Sequence, residues 1–238
     1  MTKNLFDLAQ EQESASIDDQ EKKNSGTTWT HNEFFDKWGY LPVENIVEAE
    51  KLYSPPAPTT EFGSQTTYTK EGKLKHTIDE ETQVSGSTSR YWYPAYSEVY
   101  LQTKTKVEEL IGRKLFNTYY FDRCYFPGQE LNYHIDRDAC EISVSIHIGT
   151  NLQGEDAEWP FWIKTPDTYN EDKSKVIEVG ESHSLILEPG DGVIYKGCER
   201  PHWRPPLVEP KRRKRDILFR RPKKEYYYHQ VFFHYVLQ

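Results

Sequence analysis

Residues 115–136 read LFNTYYFDRCYFPGQELNYHID, and the fold can be worked outward from them. Leu115 to Phe126 is dense in aromatic residues, which favour strands. Pro127-Gly128 then supplies a turn, and Leu131 to Asp136 continues as extended chain. Alternate side chains of a strand share a face. Arg123 and Tyr125 therefore point one way, and His134 and Asp136 project together from the returning segment.

Downstream, the same character repeats. ACEISVSIHIG (139–149), WPFWIK (159–164), KVIEV (175–179), HSLILE (183–188), GVIYKG (192–197) and YYYHQVFFHYV (226–236) are short β-rich runs. Asn151–Gly154 and Pro189-Gly190-Asp191-Gly192 supply the breaks. Many short strands at this spacing predict a mainly β double-sheet jelly roll with helices packed outside. In 141–148, Glu141, Ser143, Ser145 and His147 share one face and Ile142, Val144, Ile146 and Ile148 the other, the pattern of a half-buried strand. His147 is read as structural or pocket-lining, not as a metal ligand.

Upstream, PAYSEVYLQTKTKVEELIG (94–112) spaces its apolar residues as an amphipathic helix, with Pro at its start and Gly112 at its end. Thr30-His31-Asn32 predicts the cap of a short helix ending at Gly39, and a second short helix is expected between Val47 and Tyr53. Thr66–Thr69 and Lys73–Ile78 read as short hairpin strands. SPPAPTT (54–60) is a turn-rich break. The polar residues 1–28 are expected to form a disordered or loosely packed tail. Residues 29–114 then form a helical and irregular support region, and 115–238 form the core of the same domain.

The chain has 238 residues, 36% hydrophobic and 14% aromatic, with 17 tyrosines and six tryptophans. Such a composition predicts a core and cavity built from rings with polar tips. Cys124, Cys140 and Cys198 are odd in number and lack paired spacing, which argues against a disulfide framework or a structural zinc site. They are read as small buried hydrophobes. No apolar run reaches the roughly 20 residues needed to span a bilayer, and the N-terminus lacks a signal-peptide pattern. A cytoplasmic protein with no membrane partner is expected. The formal net charge of −8 offers no general attraction to nucleic acid. Residues 211–224, KRRKRDILFRRPKK, nevertheless form a basic insertion. It is read as a solvated loop, with a phosphate or acidic-partner surface as the sharper alternative.

The chemistry concentrates at His134, Asp136 and the distant His202. Two imidazoles and a carboxylate are the set that holds a non-haem Fe(II) on one face of its octahedron, leaving positions for a cosubstrate and O₂. Arg204 shares the face of His202 if the strand persists, and its planar fork suits the distal carboxylate of a dicarboxylate. Tyr125 and Arg123 could reach a carboxylate held beside iron, although a core tyrosine is the commoner fate of Tyr125 taken alone. His183, His229 and His234 have no partner at ligand spacing and are read as structural.

Tyr125-x-x-Gly128-x-x-Leu131-x-x-His134-x-Asp136, the Pro-Gly-Asp turn, His202-Trp203-Arg204 and the closing QVFFHYV together resemble the 2-oxoglutarate- and Fe(II)-dependent oxygenases, in particular their prolyl-4-hydroxylase-like branch. The resemblance covers about residues 95–238. It implies a double-stranded β-helix (a jelly-roll, cupin-like fold) and Fe(II) held by His134, Asp136 and His202. It also implies 2-oxoglutarate as cosubstrate, bonded by Tyr125, with O₂ as oxidant and ascorbate as a supporting reductant. The implied reaction hydroxylates an unactivated C–H of a peptidyl prolyl, another amino-acid side chain or a small metabolite, giving succinate and CO₂. One departure stands out: the family usually places a Lys or Arg about ten residues after the last His, which here falls on Arg212 or Arg213 in the basic insertion, so Arg204 is preferred. Arg123-x-Tyr125 spacing also resembles AlkB-type nucleobase demethylases, which would use residues 211–224 on phosphates; nucleic acid is the less favoured partner. A non-catalytic jelly-roll binding module is a further alternative. A zinc hydrolase is the weakest, for want of a general base at suitable spacing.

Overall fold

A computed structural model describes residues 30–52, 63–211 and 225–238. The expected tail, the SPPAPTT break, and the basic insertion beyond Lys211, with Arg212 and Arg213, lie outside the described residues.

Helix α1 (His31–Trp38) begins at a capping box. Thr30 accepts from the Glu33 backbone while the Glu33 carboxylate accepts from the Thr30 N–H, and Gly39 closes the helix in the left-handed conformation. A short helix, α2 (Ala49–Leu52), follows, and α3 (Ser97–Ile111) runs from a 3₁₀ turn at Pro94–Tyr96 to Gly112. Val99, Thr103, Val107 and Ile111 recur on one face of α3 and are buried.

Strands β1 (Tyr40–Val43), β2 (Gln65–Tyr68), β3 (Leu74–Ile78), β4 (Thr88–Tyr91) and β5 (Leu115–Tyr125) come before the turn at Pro127-Gly128. Then follow β6 (Leu131–His134), β7 (Ile142–Thr150), β8 (Phe161–Lys164), β9 (Thr168–Tyr169) and β10 (Val176–Glu178). The chain closes with β11 (Ser182–Leu185), β12 (Gly192–Lys196), β13 (His202–Arg204) and β14 (Tyr228–Leu237). Eight strands form a major sheet ordered β1-β12-β7-β14-β5-β4-β2-β3, and four form a minor sheet ordered β11-β8-β13-β6. β9 and β10 pair in a separate ribbon. From β5 to β8 and again from β11 to β14, successive strands alternate between the two sheets, which is the wiring of a double-stranded β-helix. The fold expectation holds. Among the described residues no helix is long and apolar enough to cross a membrane.

The half-buried reading of β7 does not hold. Ile142 to Ile148 are buried on both faces. β7 is central in the major sheet, so its isoleucine and valine face packs with the helical layer while its Ser143-Ser145-His147 face closes the barrel interior. β14 follows the same rule. Phe233 and Tyr235 contact Tyr100 of α3, with Tyr100 and Tyr235 stacked at 5.0 Å. Tyr228, Gln230, Phe232 and His234 alternate with them and so face inward. The larger apolar core thus includes the layer between sheet and helices, while the barrel interior mixes Ser, His, Gln and Arg side chains with a second cluster that includes Phe121, Tyr125, Trp159, Tyr228 and Phe232. An interior of rings with a few polar groups, in a barrel of this size, is a place to bind something.

Candidate metal centre and its cavity

The two sheets bring the sequence-predicted ligands to one point. β6 and β13 pair antiparallel with His134 directly opposite His202, and the ring centroids lie 4.3 Å apart. Asp136, just past β6, is held by its N–H, which donates to the Gly197 carbonyl at the end of β12 (2.9 Å). Its Oδ1 then lies 3.7 Å from the Nε2 of His134 and 3.7 Å from the Nε2 of His202. These three ligand atoms all fall within 4.8 Å of one another.

Hydrogen bonds fix which nitrogens face inward. The Nδ1 of His134 lies 2.7 Å from the Asn132 carbonyl, and that of His202 lies 3.0 Å from the Arg200 carbonyl. A carbonyl only accepts, so each Nδ1 carries the proton and each Nε2 presents a lone pair to the cavity. This outer support is the arrangement that orients metal-binding imidazoles. Burial pushes His202 down to about 4, so it is neutral at physiological pH, as a ligand must be. Burial alone would raise Asp136, but contacts with His134, His202, His234 and Ser143 outweigh it and hold the carboxyl well below its usual range. Ser143 Oγ donates to Asp136 Oδ2 at 2.8 Å. Gly197 leaves room for this pair, because a Cβ there would sit 2.5 Å from Asp136 Oδ2 and 2.7 Å from Ser143 Oγ.

The ligand atoms open into a cavity of about 270 Å³. One wall is a set of near-parallel rings on the major sheet, with Phe121 stacked on Tyr91 (4.7 Å) and on Phe232 (4.7 Å). Gln83 reaches in from the segment before β4, its Nε2 lying 3.3 Å from His134 Nε2.

Arg204 shares the inward face of His202, as alternation required. It is 1% exposed and enclosed by the rings of Trp159, Phe161 and Tyr228, with guanidinium-to-ring distances of 4.7, 5.4 and 5.2 Å. Its Nη1 donates to the Trp159 carbonyl and the Tyr228 hydroxyl lies close by, but Nε and Nη2 make no well-formed hydrogen bond among the described residues. A buried guanidinium with two idle donors is costly unless an anion satisfies it. His147 Nε2 and Gln230 Oε1, also inward-facing, are likewise buried without a partner. Tyr125 is fully buried, edge-on to Trp159 at 5.0 Å. The three ligand residues fit a ferrous ion, and the idle donors of Arg204 suit a carboxylate, although Arg204 and Tyr125 are not among the residues lining the cavity at the ligand atoms.

Arg123 lines the cavity at the ligand atoms, and it also reaches a carboxylate of the protein: Nη2 donates to Glu81 at 3.1 Å, with both side chains 1% exposed. Its Nη1 donates to the Tyr125 hydroxyl at 3.4 Å. Arg123 therefore positions Tyr125 and pairs with Glu81, while its Nε is buried without a hydrogen-bond partner among the described residues. His229 and His183 have the structural places expected: His229 Nε2 lies 2.8 Å from Asp122, and His183 Nδ1 lies 2.6 Å from the Tyr40 hydroxyl.

Sequence reasoning missed Glu81, Gln83 and His234. His234 is grouped with Asp136 and Cys140, so the absence of a partner at ligand spacing was misleading. Its signal was strand parity, since it shares the inward face of Phe232. Cys124 and Cys140 are buried as expected, whereas Cys198 is only partly so.

No protein-family model matches the chain, and no curated protein matches it in sequence. Solved structures do match in fold. An oxidoreductase of the 2OG-Fe(II) oxygenase family from Burkholderia pseudomallei is 12% identical, covering 86% of this chain and 88% of that one, with a TM-score of 0.51. SnoK, a non-heme alpha-ketoglutarate-dependent carbocyclase of nogalamycin biosynthesis, is 10% identical over 94% of this chain and 88% of its own, with a TM-score of 0.53. HygX from Streptomyces hygroscopicus, solved with nickel and 2-oxoglutarate bound, is 8% identical over 84% of each chain, with a TM-score of 0.50. The chain has the fold of these 2-oxoglutarate- and iron-dependent oxygenases.

Proposed function

We propose that the chain is a 2-oxoglutarate-dependent Fe(II) dioxygenase of the prolyl-4-hydroxylase-like branch, hydroxylating an unactivated C–H. The observation that carries this is the pairing of a convergent His134-Asp136-His202 face with a buried, anion-hungry Arg204 in one barrel. HygX, of the same fold, was solved with nickel and 2-oxoglutarate. When bound, iron, 2-oxoglutarate and O₂ supply the oxidising chemistry that leaves a hydroxylated product, succinate and CO₂.

The protein's share is positioning. His134, Asp136 and His202 would hold the metal, the two rings through Nε2 and Asp136 through its carboxylate. Arg204 would take the distal carboxylate of 2-oxoglutarate with its two unpartnered donors, and Tyr125 would assist. Glu81 and Arg123 fix Tyr125 from behind. Residues 115–238 form the catalytic core and 29–114 its support. The stacked wall of Tyr91, Phe121 and Phe232 faces the remaining open side, where the prime substrate docks. A prolyl ring, another amino-acid side chain or a small ring-bearing metabolite suits it. Flat stacked rings also suit a nucleobase, which keeps an AlkB-like demethylase as the second reading.

The test is 2-oxoglutarate turnover with Fe(II), O₂ and ascorbate across peptide, nucleoside and metabolite pools. Wild type is expected to release succinate, and His134→Ala and Asp136→Ala to release none above background. Equal succinate release by the variants would overturn the site. No release by wild type in any pool would leave a binding module as the better account.

A further inference from the structure

Beside the three ligands already described, the cavity contains a second group of metal-binding atoms. Asp136, Cys140 and His234 each offer one, all within 4.8 Å of one another. They come from three places: the end of β6, the 3₁₀ turn Asp138–Cys140 and the inward face of β14. Ser143 determines what His234 presents. Its Oγ lies 2.8 Å from Asp136 Oδ2 and 2.9 Å from His234 Nδ1. The hydroxyl has one proton, and the carboxylate can only accept it. His234 must therefore donate its Nδ1–H to Ser143, and Nε2 is left with a bare lone pair. That atom is buried, lies on a ring lining the cavity, and has no hydrogen-bond partner among the described residues. His234 is 3% exposed.

We propose that Asp136, Cys140 and His234 form a second, thiolate-bearing cation position in the cavity, suited to a thiophilic divalent ion such as Zn²⁺ and sharing Asp136 with the first. Carboxylate, imidazole and thiolate are the ordinary ligands of zinc, at about 2.0–2.3 Å from the ion, and a thiolate selects soft metals over the hard ones that prefer oxygen. One ligand atom of each residue lies within 4.8 Å of the others, and rotation of the side chains, that of the His234 ring bringing Nε2 forward, would close the three groups onto such an ion. Cys140 Sγ lies 3.2 Å from the Tyr119 hydroxyl, which can turn its proton toward a bound thiolate. The position does not depend on the oxygenase reading, because none of its atoms except those of Asp136 serves in the first site.

The experiment is titration of the metal-free full chain with Co²⁺ under reducing, anaerobic conditions, following near-ultraviolet absorption. A thiolate bound to Co²⁺ gives an intense charge-transfer band there, and imidazoles and carboxylates do not. Wild type is expected to develop the band. Cys140→Ser and Cys140→Ala should lose it, Cys198→Ser should keep it, and His234→Gln should need at least tenfold more Co²⁺ to reach it. His134→Ala should retain the band, which separates this position from the first. Co²⁺ uptake without the band, or a band that survives Cys140→Ser, would overturn the proposal. Loss of the band in His134→Ala would also overturn it, by showing a single site.

Discussion

The carboxamide of Gln83 points its Nε2 at the Nε2 of His134, 3.3 Å away. Because His134 gives its Nδ1 proton to the Asn132 carbonyl, Gln83 must be the donor, and it covers the lone pair a metal would take. Metal entry has to break this bond. A typical neutral hydrogen bond contributes about 1 kcal/mol, or roughly fivefold in an equilibrium constant. Gln83→Ala is therefore expected to bind Fe²⁺ or Co²⁺ a few-fold more tightly than wild type in a metal-free titration. Weaker binding would mean that Gln83 helps to hold the metal.

Glu81 and Arg123 form an ion pair with both side chains 1% exposed. Removing one partner leaves the other charged and dry, a loss of about 3–5 kcal/mol. Glu81→Ala should unfold at markedly lower denaturant, and Glu81→Ala with Arg123→Met should recover much of the loss. Failure of the double variant to recover would show that packing, not charge, dominates there.

Gly197 touches the metal site without contributing a side chain. A Cβ would meet the Cys140 carbonyl at 2.3 Å and Asp136 Oδ2 at 2.5 Å, so Gly197→Ala must displace the carboxylate. Metal affinity is expected to fall at least tenfold. Gly149→Ala serves as control, since a Cβ there meets nothing within 4 Å, and it should leave affinity unchanged. Equal affinity in the two variants would show that Asp136 is not held as described.

Acid should destabilise the fold in two stages. Burial holds His147 neutral, down to about 4 from 6.5, with its Nδ1–H on the Leu187 carbonyl at 2.7 Å. The unfolded chain then binds more protons below 6.5, so stability is intact above that pH and falls as pH drops toward 4. At about 1.4 kcal/mol per pKa unit, one such ring accounts for on the order of 3 kcal/mol. Asp122 acts lower. Burial would raise it, but Arg90 and His229 hold it at about 2, against the usual 3.8, so its contribution persists above 3.8 and disappears as pH falls through about 2. Denaturation midpoints between pH 7 and 2 should show both stages; burial also holds His202 and His234 down to about 4, so the three rings share the first stage and His147→Gln should make it shallower without removing it. An unchanged slope in that variant would contradict the assignment.

What could be read from sequence was local. His134 with Asp136, and His202 with Arg204, are each two residues apart, and parity alone puts each pair on one side. The jelly roll followed from repeated short strands. Glu81 was invisible because it sits in a polar stretch with no periodicity and meets Arg123 only through the fold. The second buried face of β7, Ser143-Ser145-His147, depends on the barrel closing over it, which alternation along one strand cannot reveal. His234 was passed over because spacing was sought along the chain, whereas Ser143 meets it from the neighbouring strand and Asp136 and Cys140 from the segment between β6 and β7.

The central claim is that one ferrous ion and one dicarboxylate fill this barrel together. Anaerobic addition of 2-oxoglutarate to the Fe(II)-loaded chain should produce the visible charge-transfer absorption of a chelated 2-oxo acid. Asp136→Ala should abolish it, and Arg204→Met should need at least a hundredfold more 2-oxoglutarate, about 3 kcal/mol for a lost bidentate charge-assisted contact. If the band never forms in wild type, or forms at the same 2-oxoglutarate concentration in Arg204→Met, the site does not work as described.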